Sequence, residues 1–175
     1  EDINGEPTIK KVKNISPYLS EGKVNFIYSR TNPICDSPKM VFGNMPADGG
    51  KFLFSDEEKR EFEKTEPLSK TYFKPLISAR EFLHNKKRWC LWLKNASPNQ
   101  LVKCKSIVSL INDVKQIREK SSRPYLAEIP SLFAQITQPE DVNFLLVPRH
   151  TSENRNYIPI GFFNKDNIAH DSCLI

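Results

Sequence analysis

The sequence holds no run of about 18 consecutive apolar residues, so nothing in it predicts a membrane-spanning helix. No charged-then-apolar leader opens it, which predicts no secretory signal, and it does not begin with Met, which predicts a piece of a longer polypeptide or a processed product. Cys35, Cys90, Cys104 and Cys173 form no C-x-x-C pair, and His84, His150 and His170 make no H-E-x-x-H or H-x-E pattern. That spacing argues against a zinc site. Scattered thiols without an export signal predict a reducing cytoplasm, where the sequon Asn14-Ile15-Ser16 carries no meaning. No G-x-G-x-x-G, P-loop or G-x-S-x-G string occurs, so dinucleotide-binding, P-loop NTPase and α/β-hydrolase readings lack their signatures. His84 and Cys90 could be paired as base and nucleophile, but Cys90 lies in an apolar run, where a free thiol behaves as a small buried hydrophobe.

What is present is an ordinary globular composition. Hydrophobic residues make up 38% and charged residues 27% of 175, enough for one domain with a core. The net charge of +5 is unevenly spread: residues 71–125 carry twelve Lys or Arg against three acids. A basic middle third suits an anionic polymer, whose counterions Lys and Arg release; a solvated basic face with no partner is the plainer alternative.

Residues 1–23 read as a polar entry arm and 24–175 as the globular part. Val24–Tyr28 is a short apolar run that predicts a strand, and residues 31–50, rich in Pro and Gly, predict a long loop anchored by Met40, Val41 and Phe42. Ser55 with Glu58 is a capping box for a helix ending before Pro67; Ser78 with Glu81 repeats it for a helix ending near Asn85. Arg88–Leu93 alternates as a strand, and Ser97-Pro98 opens a further helix. Ile107, Leu110, Ile111, Val114 and Ile117 fall on one helical stripe, with Lys115, Arg118 and Lys120 outside it. Leu132–Ile136, Phe144–Val147 and Tyr157–Phe162 predict strands of one sheet, and Asn164 or Asp166 a short last helix. The sum is α+β: a single domain with a small mixed or antiparallel sheet flanked by helices.

Five segments carry a resemblance: residues 35–50 (CDSPKMVFGNMPADGG), 73–82 (FKPLISAREF), 88–93 (RWCLWL), 148–162 (PRHTSENRNYIPIGF) and 168–172 (IAHDS). Together, and in this order, they resemble the target-recognition domain of single-chain, MmeI-like restriction–modification enzymes. The resemblance implies a parent protein with an S-adenosylmethionine-dependent, adenine-specific DNA methyltransferase in the same polypeptide, often with a Mg-dependent nuclease, in a bacterial cytoplasm. It also implies that this segment, truncated at its C-terminus, binds double-stranded DNA but holds no cofactor and no catalytic residue. Asn32-Pro33-Ile34 only partly matches the family's N-P-P-[FY] motif: the second proline and the aromatic are missing.

On that reading, phosphate contacts position the protein and base-edge contacts specify sequence. Backbone candidates are Lys86, Lys87, Arg88, Lys115, Arg118 and Arg123 of the basic zone, Lys39 and Asn44 of the Pro/Gly loop, and Arg80 at a helix start. For Lys39 and Asn44 the alternative is a buried turn, and for Arg80 a salt bridge. Base-edge candidates are Arg149, Ser152, Asn154 and Arg155, polar forks on a loop between two expected strands. The alternatives are an Arg149–Glu153 ion pair and Asn154 as a turn cap. Ser172 joins them through the resemblance alone. Trp89 and Trp92 read as core rather than stacking platforms. Two other classes stay open: a domain that docks the methyltransferase, and a metal-dependent nuclease using Asp56, Glu57 and Glu61.

Overall fold

The computed structural model describes residues 9–23 and 28–175. The chain divides into two packing units, 1–38 and 39–175. In the first, Ile15 and Glu21 form an isolated antiparallel bridge around a turn in which the Ser16 and Ser20 hydroxyls lie 2.8 Å apart. The strand expected over residues 24–28 falls, but for Tyr28, outside the described residues.

The second unit opens with a buried turn. The Asp48 carboxylate, 3% exposed, accepts from the Gly50 and Phe52 amides, and Gly49 and Gly50 take the positive φ the turn demands. This launches β1 (Leu53–Phe54), followed by α1 (Asp56–Thr65). Ser55 and Glu58 form the expected reciprocal capping box. After a 3-10 turn come β2 (Phe73–Ile77), α2 (Ala79–His84) and β3 (Trp89–Leu91). The second expected box does not form, because the Ser78 hydroxyl donates to the Glu81 carboxylate instead of accepting from a backbone amide. The helical pattern after Ser97 splits into α3 (Pro98–Leu101) and α4 (Lys105–Glu119). Then follow β4 (Phe144–Pro148), β5 (Gly161–Phe163), β6 (Ile168–Ala169) and β7 (Cys173–Leu174).

Instead of one sheet there are two: β1-β3-β2-β6, with β2 and β6 parallel, and β5-β4-β7, all antiparallel. The expected strand over Leu132–Ile136 is an irregular segment, bent at Leu132 and Ala134, with one bridge, Gln135 to Met45. Tyr157–Phe162 shrinks to the strand at Gly161–Phe163, and the expected last helix is a turn leading into β6.

Side-chain alternation explains how the two sheets share a junction. Leu76 and Ile168 face a large core with Phe52, Phe54, Phe73, Leu91, Ile107 and Val114; Ala169, with Ile77 packed beside it, faces a small one with Phe144, Leu146 and Cys173. Phe54, Phe62 and Phe73 meet edge to face in the large core. Trp89 and Trp92 pack against it as expected, the Trp89 indole donating to Asp56. Cys90 is fully buried and burial pushes its thiol pKa upward, while His84 is exposed, so the pair offers no nucleophile.

Candidate nucleic-acid interface

Four segments converge beyond the ends of β2, β4 and β6. Arg149 continues β4 with its amide on the Ser172 carbonyl at 3.0 Å. The His170 amide donates to Ile77 at 2.9 Å, and the Asp171 amide to Asn44 at 3.0 Å. Gly43 lies so close that a Cβ there would sit 2.3 Å from the His170 carbonyl oxygen. Residues 170–172 are thus locked between the loop at 42–45 and the start of α2.

Arg149 is the ordered cation of this cluster. Its guanidinium lies over the Phe42 ring, 4.6 Å from the centroid, and one Nη1–H reaches the Asp171 carbonyl at 3.3 Å. The side chain is exposed, and an arginine has five N–H donors, so most remain free. Glu153 makes no ion pair with it. Beyond it Ser152 organises a tight turn: its hydroxyl accepts from the Asn154 amide at 3.2 Å and its carbonyl from the Arg155 amide at 3.2 Å. Ser152, not Asn154, therefore caps the turn. Asn154 and Arg155 are exposed, and among the described residues their side chains have no hydrogen-bond or ionic partner.

Two candidates leave the list. Arg118 is 1% exposed, with its guanidinium spent on the carbonyls of Pro46, Ala47, Leu126, Ile129 and Leu132. Asn44 is fully buried: its amide donates to Gln138 and Ala169 and accepts from the Thr137 and Gln138 backbones. Neither can reach a phosphate. Ser172 is half-buried, with its hydroxyl accepting from the Ala79 amide at 3.0 Å and lying 3.1 Å from His170 Nδ1, so it shapes the cluster more than it projects from it.

Lys39, Arg80, Lys86, Lys87 and Lys115 are exposed and unpaired among the described residues. Arg88 sits 3.9 Å from the buried Glu81 carboxylate, and the Arg123 guanidinium 3.9 Å from Met45 Sδ. Arg80 belongs to the α2 start that Ser172 caps, so it adjoins the Arg149 cluster; Arg123 reaches the cluster's edge through Met45, and Lys115 lies on α4. A cleft of about 330 Å³ elsewhere is no phosphate seat, because Lys74, Lys94 and Lys165 are each paired with Asp166, Glu140 and Asp141. Among the described residues no three His, Cys, Asp or Glu are grouped to hold a metal, and Asp56 is engaged by Trp89.

Sequence reading missed Phe42 as part of the site, treating it as a loop anchor. It is half exposed and supports Arg149. No sequence signal marks it, because the contact with Arg149 forms only on folding.

The fold and this cluster define a small α+β module that presents polar forks from a rigid base. Comparison with known proteins places it. The family model for the MmeI target recognition domain matches residues 21–175. The chain is 39% identical over 173 residues to DNA methyltransferase A of Bacillus subtilis (strain 168), covering 97% of this chain and 20% of that protein. The solved type IIL restriction–modification enzyme MmeI in complex with DNA matches with a TM-score of 0.81 and 41% identity, over 99% of this chain and 24% of that one. The chain belongs to the MmeI target recognition domain family, and spans about a fifth to a quarter of the length of these relatives.

Proposed function

We propose that this chain reads the sequence of duplex DNA for an S-adenosylmethionine-dependent adenine methyltransferase in the same bacterial, cytoplasmic polypeptide. The observation that carries the reading is the turn at residues 149–155, where a stacked Arg149 precedes an exposed Asn154 and Arg155 whose side chains find no partner among the described residues. Arginine matches the O6/N7 edge of guanine and asparagine the N6/N7 edge of adenine, each through two hydrogen bonds in the major groove. Exposed Lys39, Arg80, Lys86 and Lys87 supply backbone contacts, with Arg88, Lys115 and Arg123 as further cations of the basic zone.

Residues 32–34 do not match the family's catalytic motif. Asn32, Pro33 and Ile34 are all exposed and lack the second proline and aromatic of the family's catalytic motif. The chemistry, and any Mg-dependent cleavage, belongs to other parts of the polypeptide. A docking role beside the reading role is favoured by Tyr157, Ile158, Ile160 and Phe162, large apolar side chains between 57% and 86% exposed just past the reading turn.

In the full-length polypeptide, Asn154→Ala and Arg155→Ala should each relax discrimination against near-target duplexes by about tenfold to a hundredfold, while methyl-donor affinity stays unchanged. Methylation rates on target and single-mismatch duplexes measure this. Undiminished discrimination in both variants rejects these two residues as readers.

A further inference from the structure

The DNA reading leaves one question that the geometry answers: what holds Arg149 in place. A free arginine samples many rotamers and loses that freedom on binding, so a side chain held beforehand binds more tightly. Arg149 has two supports, the Phe42 ring 4.6 Å below its guanidinium carbon and the Asp171 carbonyl 3.3 Å from Nη1. The ring is itself fixed through its backbone. The Phe42 carbonyl accepts from the Thr137 hydroxyl at 2.6 Å, Phe42 bridges to Leu174, and Gly43 packs against the His170 carbonyl. Yet Phe42 is 50% exposed, far more than the core packing of an ordinary aromatic requires.

We propose that Phe42 is a positioning residue: its ring holds the Arg149 guanidinium against the Asp171 carbonyl, leaving the free N–H donors turned toward the nucleic acid. The inference rests on the DNA reading and adds to it a residue that acts through Arg149. Because the ring acts through Arg149, its effect must vanish when Arg149 is gone.

The test is a double-mutant cycle in the full-length polypeptide, read by fluorescence anisotropy with a labelled duplex that this polypeptide methylates. Arg149→Ala should weaken binding about tenfold. Phe42→Leu should weaken it about threefold to tenfold, Phe42→Trp should retain wild-type affinity, and Phe42→Leu added to Arg149→Ala should cost nothing more. Melting temperatures confirm that each variant is folded. In the free chain, the Arg149 side-chain protons should show an upfield ring-current shift by NMR that Phe42→Leu removes. A loss from Phe42→Leu that is equal with and without Arg149, or the absence of any upfield shift in the wild type, overturns the proposal. Failure of the wild type to bind any duplex sinks the DNA reading and the inference with it, and an intact ring-current shift then marks the reading as the part that failed.

Discussion

Replacing Arg118 with Met should lower the unfolding free energy by about 3–5 kcal/mol, although the residue touches neither the reading turn nor any acid. The guanidinium is 1% exposed, and its five N–H groups are spent on five carbonyls at 2.7 to 3.1 Å. Pro46 and Ala47 belong to the loop leading to β1; Leu126, Ile129 and Leu132 belong to the segment after α4. One side chain therefore ties two irregular stretches to a helix and satisfies carbonyls that have no ladder to join. Burial pulls the guanidinium pKa below its usual value, and the nearby Asp48 charge partly offsets this. Removing it leaves several buried acceptors without donors, each a cost of roughly 1–3 kcal/mol that relaxation and water recover in part. Arg118→Lys should restore little, since an ammonium carries three donors on one point and these carbonyls surround a planar fork. Urea denaturation measures both variants. A loss below about 1 kcal/mol for Arg118→Met would show that water replaces the fork freely.

Gly43→Ala should be nearly as damaging, by about 2–3 kcal/mol, and should abolish duplex binding as well. A Cβ at this position would stand 2.3 Å from the His170 oxygen, 2.7 Å from its carbon and 2.8 Å from the Ala169 oxygen. All three atoms are backbone, so no rotamer change relieves the clash. Either β6 or the loop at 42–45 must move, and both hold the base on which Arg149 rests. Thermal melting and anisotropy on the same variant measure both effects. An alanine variant with wild-type melting and wild-type affinity would contradict the close packing that defines the site.

The sequence was legible where local chemistry decides and misleading where distant partners do. Ser55 and Glu58 lie three residues apart and close their box with nothing else needed. Ser78 and Glu81 share that spacing, but Glu81 is buried, and the Ser78 hydroxyl serves its carboxylate. Arg118 shows a conflict between two rules. Its spacing from Val114 and Ile107 puts it on the inward face, while its charge argued for solvent. Carbonyls brought in by loops before and after α4 settled the matter, and Ile117 is the more exposed of the two. Asn44 was drawn inward in the same way by Gln138, far along the chain. The Leu132–Ile136 run has a strand's composition, but a strand needs an edge to join, and no local pattern reports whether one exists. The polar turn at 149–155 was visible because polar forks between two strands are unusual, whereas the stacking of Arg149 on Phe42 appears only once the chain folds.

The central claim is that this chain grips duplex backbone through cations left unpaired by the fold, and a salt titration tests it most directly. With three or four phosphate contacts, affinity for a duplex of arbitrary sequence should fall about 40-fold to 150-fold between about 50 and 200 mM salt, as a straight line in log–log form. A flat line, or no binding even at the lowest salt, contradicts it.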